Sequence, residues 1–474
     1  MYINGKWITD GIGKIDVKNP SNGEIVGTVP TVGVEQVEEA IEAANKAFKT
    51  WSKLPAIERS NYLYRVAALM TEQKEELART GTLEMGKALA DMRGEVQQAI
   101  DYVQWYAEEA RRVYGETIPA NAPNKRVQVL KQPIGVVGAI TPWNFPVAMI
   151  TRKISPAIAA GCTVIVKPAS QSPLSAKLIF EIFEKAELPA GVVNLVAGNS
   201  KDISATLLNS PIIKKVSFTG STEVGKLLMA QGAETVKKLS LELGGHAPFI
   251  VFEDADIDLA VDGLIGGKFR CAGQTCVSMN RLYVHRSVVD EFAEKLVAKT
   301  KQLKVGDGLD PSTNVGPLVD EKGVEKAEQH VQDAVAKGAE LLVGGKRPDK
   351  SKLTGSFFEP TVLKNVDESM VISYEETFGP VAPIIAFDTE EEVIEKANNT
   401  LYGLASYFYT NDLSRVHRVS EQLEYGIVGV NDTLPITVAV PFGGIKESGN
   451  GKEGGHHGIK EYLIEKMIST RIEL

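Results

Sequence analysis

The amino-acid sequence predicts an α/β protein that is built on parallel β-sheets and divided into two or three domains. Its 474 residues exceed what one hydrophobic core usually organises. Between residues 151 and 245, short β-branched stretches alternate with helical stretches of about 10 to 15 residues, which predicts right-handed βαβ units and a doubly wound sheet. Sheets of this kind bind ligands at the carboxyl ends of their strands.

The part of the chain before this region is predicted to be mainly helical. From Val34 to Phe48, apolar residues recur on one face of a helix, and residues 56–113 repeat the pattern in a stretch rich in Ala, Glu, Leu and Lys. The stretch KRVQVLKQPIGVVGAI, residues 125–140, is β-branched and alternating, so a strand is expected there.

The alternating region comes next. Strands are predicted at 163–167, 191–198, 214–220 and 238–245, and helices at 151–160, 173–186, 202–209 and 222–231. A second αβ series, from 247–252 to 426–431, predicts a second domain of comparable size. The apolar, alternating residues 460–469 could form a two-stranded arm with 125–133. Because an exposed arm needs covering, we expect a homodimer or homotetramer.

Composition narrows the class of function. The formal net charge of −9 argues against a nucleic-acid partner, which would want a basic face. The start MYINGK does not look like a signal peptide, and the best membrane candidate, Pro133 to Ile150, contains two further prolines and an asparagine. Three cysteines suggest a reducing compartment, so a cytoplasmic location is expected. The cysteine and histidine spacings predict no structural metal.

Four motifs at the ends of predicted strands have both functional and structural interpretations. FTGSTEVG (218–225) could receive a phosphate at a helix N-terminus or be a plain turn. Lys167 in VKPAS could bind a ribose or phosphate, or be solvated. Glu242 in LELGG could be a buried general base or a salt-bridged glutamate. Asn144 in TPWNFP could donate to an oxyanion or be an ordinary loop residue.

The three cysteines differ in their surroundings. Cys162, in AAGCTVIVK, and Cys271, in FRCAGQTC, are predicted to be small buried apolar residues. Cys276 is different, because a cysteine, a glutamate and an asparagine are all expected at one sheet edge or in the domain facing it. That combination fits a thiol nucleophile with a base and an oxyanion donor.

Taken together, the motifs resemble those of the NAD(P)-dependent aldehyde dehydrogenase superfamily along essentially the whole chain. TPWNFP, VKPAS, FTGSTEVG, LELGG, GQTC, EETFGPV (375–381) and PFGGIKESG (441–449) occur in the family's order. The 34-residue separation of Glu242 from Cys276 is also similar. The resemblance implies that Cys276 attacks the aldehyde, that Asn144 and the backbone N–H of Cys276 hold the oxyanion, and that hydride transfer leaves a thioester. Glu242 then activates water to release the acid.

The resemblance also implies the fold and its boundaries. A Rossmann-like NAD(P)-binding domain would comprise residues 1–118 and 134–244, and an α/β catalytic domain carrying Cys276 would comprise 245–442. Residues 119–133 and 457–474 would form a small β oligomerisation arm.

A cofactor site for NADP or NAD follows from the same resemblance. The matching positions are Thr141, Trp143, Asn144, Lys167, Ser170, Gly220, Ser221, Leu243, Glu376 and Phe378. Strongly NAD-preferring members often carry glutamate at the position of Ser170, and its carboxylate would repel the 2′-phosphate of NADP. The serine therefore favours acceptance of NADP.

For the substrate, FRCAGQTC and ITRK (150–153) are similar to the succinate-semialdehyde dehydrogenase branch. There, Arg152 and Arg270 match positions that bind the substrate carboxylate, a role that suits charge-assisted hydrogen bonds. The alternative for either arginine is a domain-interface salt bridge. The loop NDTLPITVAVP (431–441) departs from the branch, which has a serine near the carboxylate, and Thr437 is the candidate replacement.

Other readings stay open. The enzyme could act on glutarate semialdehyde, lactaldehyde, glycolaldehyde or a broad set of aldehydes, or the chain could be a non-catalytic binding protein on the same fold. Ser278 replaces a cysteine that some members carry after the nucleophile, so a redox switch there is not expected, although Cys271 could substitute as a disulfide partner.

Overall fold

The computed structural model describes residues 1–349 and 351–473. Its described strands form sheets of eight, seven, three and two strands, and most helices pack against the two large sheets. The predicted α/β class is confirmed, including the small antiparallel arm sheet.

The strands are β1 (Tyr2–Ile3), β2 (Lys6–Trp7), β3 (Gly13–Lys18), β4 (Ile25–Thr31), β5 (Glu116–Ile118), β6 (Lys125–Pro133), β7 (Val136–Ile140), β8 (Thr163–Lys167), β9 (Val193–Leu195), β10 (Ile213–Thr219), β11 (Lys238–Glu242), β12 (Ala247–Val251), β13 (Met279–His285), β14 (Glu340–Val343), β15 (Thr361–Lys364), β16 (Val381–Phe387), β17 (Ala405–Tyr409), β18 (Ile427–Val430), β19 (Gly449–Asn450) and β20 (Leu463–Arg471).

The helices are α1 (Val34–Trp51), α2 (Ala56–Glu72), α3 (Lys74–Met85), α4 (Leu89–Glu109), α5 (Ala148–Ala160), α6 (Pro173–Lys185), α7 (Ser200–Asn209), α8 (Thr222–Ala233), α9 (Ile257–Lys268), α10 (Val289–Thr300), α11 (Glu321–Ala336), α12 (Glu390–Asn398), α13 (Leu413–Gln422) and α14 (Gly455–Lys460). None of the helices in the described ranges is long and apolar enough to cross a membrane.

The eight-stranded sheet has the order β19-β11-β10-β7-β8-β9-β1-β2. Its central strands β11, β10, β7, β8 and β9 are parallel neighbours. Among these parallel strands the chain begins at β7, moves outward through β8 and β9, and then crosses back to β10 and β11 on the other side of β7. The loops after β7 and β10 therefore diverge at a topological switch point, which is where open α/β sheets bind ligands.

The seven-stranded sheet has the order β14-β15-β16-β13-β12-β17-β18 and is parallel apart from the β14–β15 pair. It has its own core, made of residues between Ala247 and Tyr425, whereas the other core draws mainly on residues before Leu243 and on Tyr462 and Leu463. These separate cores agree with two α/β units. The boundaries given above stay a prediction.

Residues 125–140 contain two strands in different sheets, β6 and β7, and the chain turns between them at Gly135, whose φ of +135° favours glycine. One local expectation needs correction. Residues 116–118, assigned above to the first domain, pair with β6, so the arm sheet β20-β6-β5 has three strands instead of two. A three-residue strand is too short to show an alternating pattern.

Candidate active site

Parallel strands bring most of the predicted residues of the first domain to one sheet edge. Ile140, at the end of β7, is level with Lys167 in β8 and with Phe218 in β10. Thr219, the last residue of β10, is level with Glu242 in β11. The residues that follow these strands share the same edge: Thr141, Trp143, Asn144, Ser170, Gly220, Ser221 and Leu243.

The second domain supplies Cys276, from the loop between α9 and β13. The loop passes through Cys271 and Ala272, whose φ values of +52° and +54° lie in the left-handed region. At the next residue, Gly273, a Cβ atom would lie 2.2 Å from the carbonyl oxygen of Gly379, so only glycine fits. A Cβ atom on Gly245, just after β11, would lie 2.2 Å from the carbonyl oxygen of Cys276, which shows how closely the loop meets this sheet edge.

A cavity of about 270 Å³ opens beside Cys276. This volume suits a small molecule. Its wall is largely apolar and aromatic, with two arginines. The lining includes Phe145, Arg152, Arg270, Tyr407, Ile436 and Phe442.

Burial and negative charge hold the pKa of Cys276 well above its usual value. Burial contributes most, followed by the carboxylates of Glu242 and Glu376, and Arg152 acts in the opposite direction. At neutral pH the sulfur is therefore mainly a thiol. Because the thiolate is the nucleophile, a base is needed to take its proton.

Glu242 has the properties of such a base. Burial, helped by the charge of Glu453, raises its pKa to about 8, while Arg152 and Lys153 oppose the rise. Both of its carboxylate oxygens are buried and accept no hydrogen bond from the described part of the chain. Because of the raised pKa, the carboxylate has a high affinity for a proton, is the minor form at neutral pH and becomes the major form above about pH 8.

Asn144 is buried and its side chain points to the loop that carries Cys276. Its Nδ2 donates to the carbonyl oxygen of Gln274, two residues before Cys276, at 2.9 Å. A carboxamide has two donor hydrogens, so this bond orients the group and leaves one hydrogen for another acceptor. Cys271 is buried as predicted, and its thiol lies 3.9 Å from the carbonyl oxygen of Asn144.

Of the three predicted substrate-binding residues, the structure brings two to the cavity. Arg152 and Arg270 both line it, whereas Thr437 is exposed and is not among the lining residues. Thr433 and Ile436, from the same loop, line the cavity instead. The loop residues do not alternate as a strand does, so sequence position alone could not select between 436 and 437.

The predicted cofactor positions face each other across the sheet edge. The Oε1 atom of Glu376 accepts a hydrogen bond from the backbone N–H of Gly245 at 3.1 Å, and burial raises the Glu376 pKa to about 7. The Phe378 ring, on a backbone with φ of +54°, packs edge-on against Trp143 at 5.6 Å between ring centroids.

Other cofactor positions lie just after strands of this sheet. Ser221 caps α8 by accepting from the N–H of Val224 at 3.4 Å. A Cβ atom on Gly225, in the first turn of α8, would lie 2.4 Å from Leu243 Cδ2, so Leu243 packs against the start of that helix. Ser170 is exposed and lines a second, more polar cavity.

Two polar groups at this edge suit a dinucleotide. Lys167 is buried and forms no hydrogen bond or ion pair through its ammonium group with any described residue, and burial lowers its pKa to about 8. The hydroxyl of Thr141 is also buried and, within the same ranges, has no partner. A ligand with ribose hydroxyls or phosphate would satisfy both, so these residues fit NAD(P).

Sequence reasoning missed a buried charge cluster behind Glu242. Glu453 Oε1 accepts from Lys153 Nζ at 2.5 Å, and its Oε2 lies 3.7 Å from Arg152 Nη1. Glu453 stands in the glycine-rich stretch GKEGG, which carries no signal of burial. Gln98, Tyr407 and Phe442, which line the cavity, were missed for the same reason: ordinary helix, strand and loop positions show no such role.

Comparison with known proteins agrees with this geometry. Residues 7–468 match the aldehyde dehydrogenase family. The chain is 52% identical to a glutarate-semialdehyde dehydrogenase of Pseudomonas putida, covering 99% of this chain and 97% of the relative. It is equally 52% identical to a succinate-semialdehyde dehydrogenase [NADP(+)] of Escherichia coli and to a 3-sulfolactaldehyde dehydrogenase of Pseudomonas putida, in both cases covering 98% of this chain and 96% of the relative.

Solved structures are similar over the whole chain. A crystal structure of an aldehyde dehydrogenase from Brucella melitensis biovar abortus has a TM-score of 0.98 at 52% identity, covering 100% of this chain and 97% of the other. A betaine aldehyde dehydrogenase from Staphylococcus aureus, in complex with NAD⁺, has a TM-score of 0.96 at 38% identity, covering 99% and 94%. The chain belongs to the aldehyde dehydrogenase family and is an NAD(P)⁺-dependent aldehyde dehydrogenase.

Proposed function

We propose that this aldehyde dehydrogenase oxidises a small aldehyde that carries an acidic group at its other end, with succinate semialdehyde as the favoured substrate and succinate as the product. The observation that carries the proposal is the pair of arginines in the cavity beside Cys276. Guanidinium groups bind carboxylates through charge-assisted, often bidentate, hydrogen bonds.

Both arginines have donors to offer. Arg152 is buried, and its Nε and Nη1 atoms have no hydrogen-bond partner among the residues described. Its nearest carboxylate, Glu453, is 3.7 Å away and is bound more closely by Lys153. Arg270 forms no ion pair or hydrogen bond within residues 1–349 and 351–473, and its guanidinium lies 5.7 Å from the Phe145 ring centroid. Because neither side chain is held in a tight ion pair, the salt-bridge alternative is disfavoured.

The proposed mechanism gives three residues distinct roles. Glu242 takes the proton of Cys276, and the resulting thiolate attacks the aldehyde carbon to form a thiohemiacetal. Asn144 Nδ2 and the backbone N–H of Cys276 donate to the oxyanion. Bound NAD(P)⁺ supplies the hydride acceptor for the oxidation to the thioester. Glu242 passes that first proton to solvent, and its carboxylate then removes a proton from water as the water attacks the thioester, which releases the acid and the Cys276 sulfur.

We also propose that NADP is accepted. Ser170 carries no charge to repel a 2′-phosphate. Glu84 lines the same cavity, but its two oxygens accept from the backbone N–H groups of Leu174 at 2.7 Å and Ser175 at 3.0 Å, which cap α6. It is therefore engaged elsewhere and does not replace the glutamate of NAD-preferring relatives.

Three relatives at equal identity leave the acidic group and chain length open. Their names specify glutarate semialdehyde, succinate semialdehyde and 3-sulfolactaldehyde. All three substrates combine an aldehyde with a carboxylate or sulfonate, and a pair of arginines suits either anion. Uncharged lactaldehyde and glycolaldehyde would leave the buried Nε and Nη1 donors of Arg152 without a charged hydrogen-bond acceptor, at an energetic cost.

The test compares kcat/KM for succinate semialdehyde, glutarate semialdehyde, 3-sulfolactaldehyde and uncharged butanal, with NAD and with NADP, in the wild type and in Arg152→Ala and Arg270→Ala. Arg286→Ala, which removes an exposed ion pair with Asp388, is the matched control. We expect kcat/KM to be about tenfold or more higher for an acidic aldehyde than for butanal, which corresponds to roughly 1.4 kcal/mol of transition-state stabilisation. Either cavity variant should remove this preference, and the control variant should keep it. Equal rates for butanal would overturn the proposal.

We further propose a cytoplasmic homo-oligomer assembled through the arm sheet β20-β6-β5. Leu130, Ile464 and Met467 are apolar and exposed on it. An exposed sheet edge with apolar residues needs covering. Light scattering after size exclusion should give a dimer or tetramer mass, and deletion of residues 463–473 should give monomers. A wild-type monomer would contradict this.

A further inference from the structure

The segment that carries Asn144 rests on a buried ion pair that no step above uses. Lys87, between α3 and α4, donates to Glu95 of α4, and both side chains are completely buried. Lys87 Nζ also donates to the carbonyl oxygen of Asn144 at 2.8 Å and lies 3.6 Å from the centroid of the Phe145 ring.

The partner carboxylate holds the other end of the same segment. Glu95 Oε1 accepts from the backbone N–H of Val147 at 2.9 Å and of Ala148 at 3.2 Å, where α5 begins. The two charges thus fix residues 144 to 148 at both ends. With the backbone held on its buried side, the Asn144 carboxamide can reach the nucleophile loop at Gln274.

Stability alone does not account for such a pair. A buried ion pair is often no more stabilising than well-packed apolar residues of similar volume, because each charge must be desolvated. What apolar residues could not supply is the pair's three hydrogen bonds to the Asn144 segment. Small displacements of a group that stabilises a transition state lower rates strongly, which gives such bonds a function.

We infer that Lys87 and Glu95 are positioning residues that set the place of the Asn144 carboxamide for oxyanion binding, an inference that rests on the role proposed above for Asn144. Their effect is on the rate of the chemical step. They contact neither the cavity's arginines nor Lys167, so their effect on cofactor binding should be much smaller than their effect on kcat.

The test uses a double variant, Lys87→Met with Glu95→Gln, which removes both charges together and keeps an acceptor for the Val147 N–H. It is compared with Asn144→Ala and with the triple variant. We expect kcat to fall about 10- to 100-fold in the double variant and about 100- to 1000-fold in Asn144→Ala, and the triple variant to match Asn144→Ala within about threefold.

Three readouts separate positioning from general damage. The KM for NADP and the rate at which iodoacetamide alkylates Cys276 should stay within about threefold of wild type in the double variant. Lys215→Met removes another fully buried lysine, paired with Glu461, and should lower the melting temperature without a comparable loss of kcat. If the double variant does not fold, Glu95→Asp keeps the charge, shortens its reach, and should lower kcat at least about fivefold.

The outcomes are distinguishable. Unchanged kcat in a folded double variant, or losses that multiply with that of Asn144→Ala, would overturn the inference. A normal rate in Asn144→Ala would refute both the role of Asn144 and its positioning. The wild type could oxidise succinate semialdehyde slowly and another aldehyde fast. If the variants then show the expected losses of kcat with that better aldehyde, the proposed substrate is rejected and the positioning role is supported.

Discussion

Replacing Glu242 with glutamine should change how the stability of the protein depends on pH. The buried carboxyl has a pKa of about 8, whereas the same group in the unfolded chain has its ordinary value of 4.5. Between these values the folded protein holds a proton that unfolding releases, so the wild type loses about 1.4 kcal/mol of stability per pH unit as the pH rises. Between pH 5 and pH 9 the loss amounts to about 4 kcal/mol.

Glutamine does not titrate, so the stability of Glu242→Gln should not fall with pH for this reason. With an unfolding entropy of about 2.1 cal/mol/K per residue, a chain of 474 residues changes its melting temperature by about 1 °C per kcal/mol. The melting temperature of the variant minus that of the wild type should therefore be about 4 °C larger at pH 9 than at pH 5.

The assay is differential scanning calorimetry of the cofactor-free protein at constant ionic strength in steps of one pH unit. Glu72→Gln, an exposed glutamate at the end of α2, serves as the control, and its difference from wild type should not vary with pH in this way. If the melting temperature of Glu242→Gln differs from that of the wild type by the same amount at pH 5 and at pH 9, the reasoning is refuted. It would show that the carboxyl is ionised in the folded protein throughout this range.

Four further predictions concern the cysteines and the cofactor. Cys276→Ser should abolish aldehyde oxidation yet bind NADP normally in a fluorescence titration, and Cys271→Ser should keep activity and peroxide sensitivity. Loss of that sensitivity would instead identify Cys271 as a disulfide partner. Because burial and the carboxylates of Glu242 and Glu376 raise the Cys276 pKa, its alkylation by iodoacetamide should still accelerate above pH 9 in the cofactor-free enzyme, and a plateau below pH 8 would contradict this. Ser170→Glu should lower kcat/KM for NADP about tenfold or more and spare NAD, since a carboxylate repels the 2′-phosphate.

Local sequence was sufficient for much of the fold. The helix over 173–185 and the strand over 163–167 follow from periodicity that each segment carries in its own residues, with Pro173 at the first helical position. The short strand β5 (Glu116–Ile118) escaped detection because three residues are too few to show an alternating pattern, and only its pairing with β6 places it in the arm sheet.

The sequence by itself predicted the family and the parallel sheet, both confirmed, and it proposed Cys276, Glu242 and Asn144 as the catalytic residues, because contiguous motifs at strand ends carry that information. Only the tertiary structure decided which neighbours those residues have. It brought Glu453 to Lys153 across 300 residues, turned Ile436 to the cavity and left Thr437 exposed, and set the Lys87–Glu95 pair behind Asn144. The burial and the charge environment of a side chain depend on residues that are distant in the sequence. Its pKa and its orientation are therefore set only when the chain has folded.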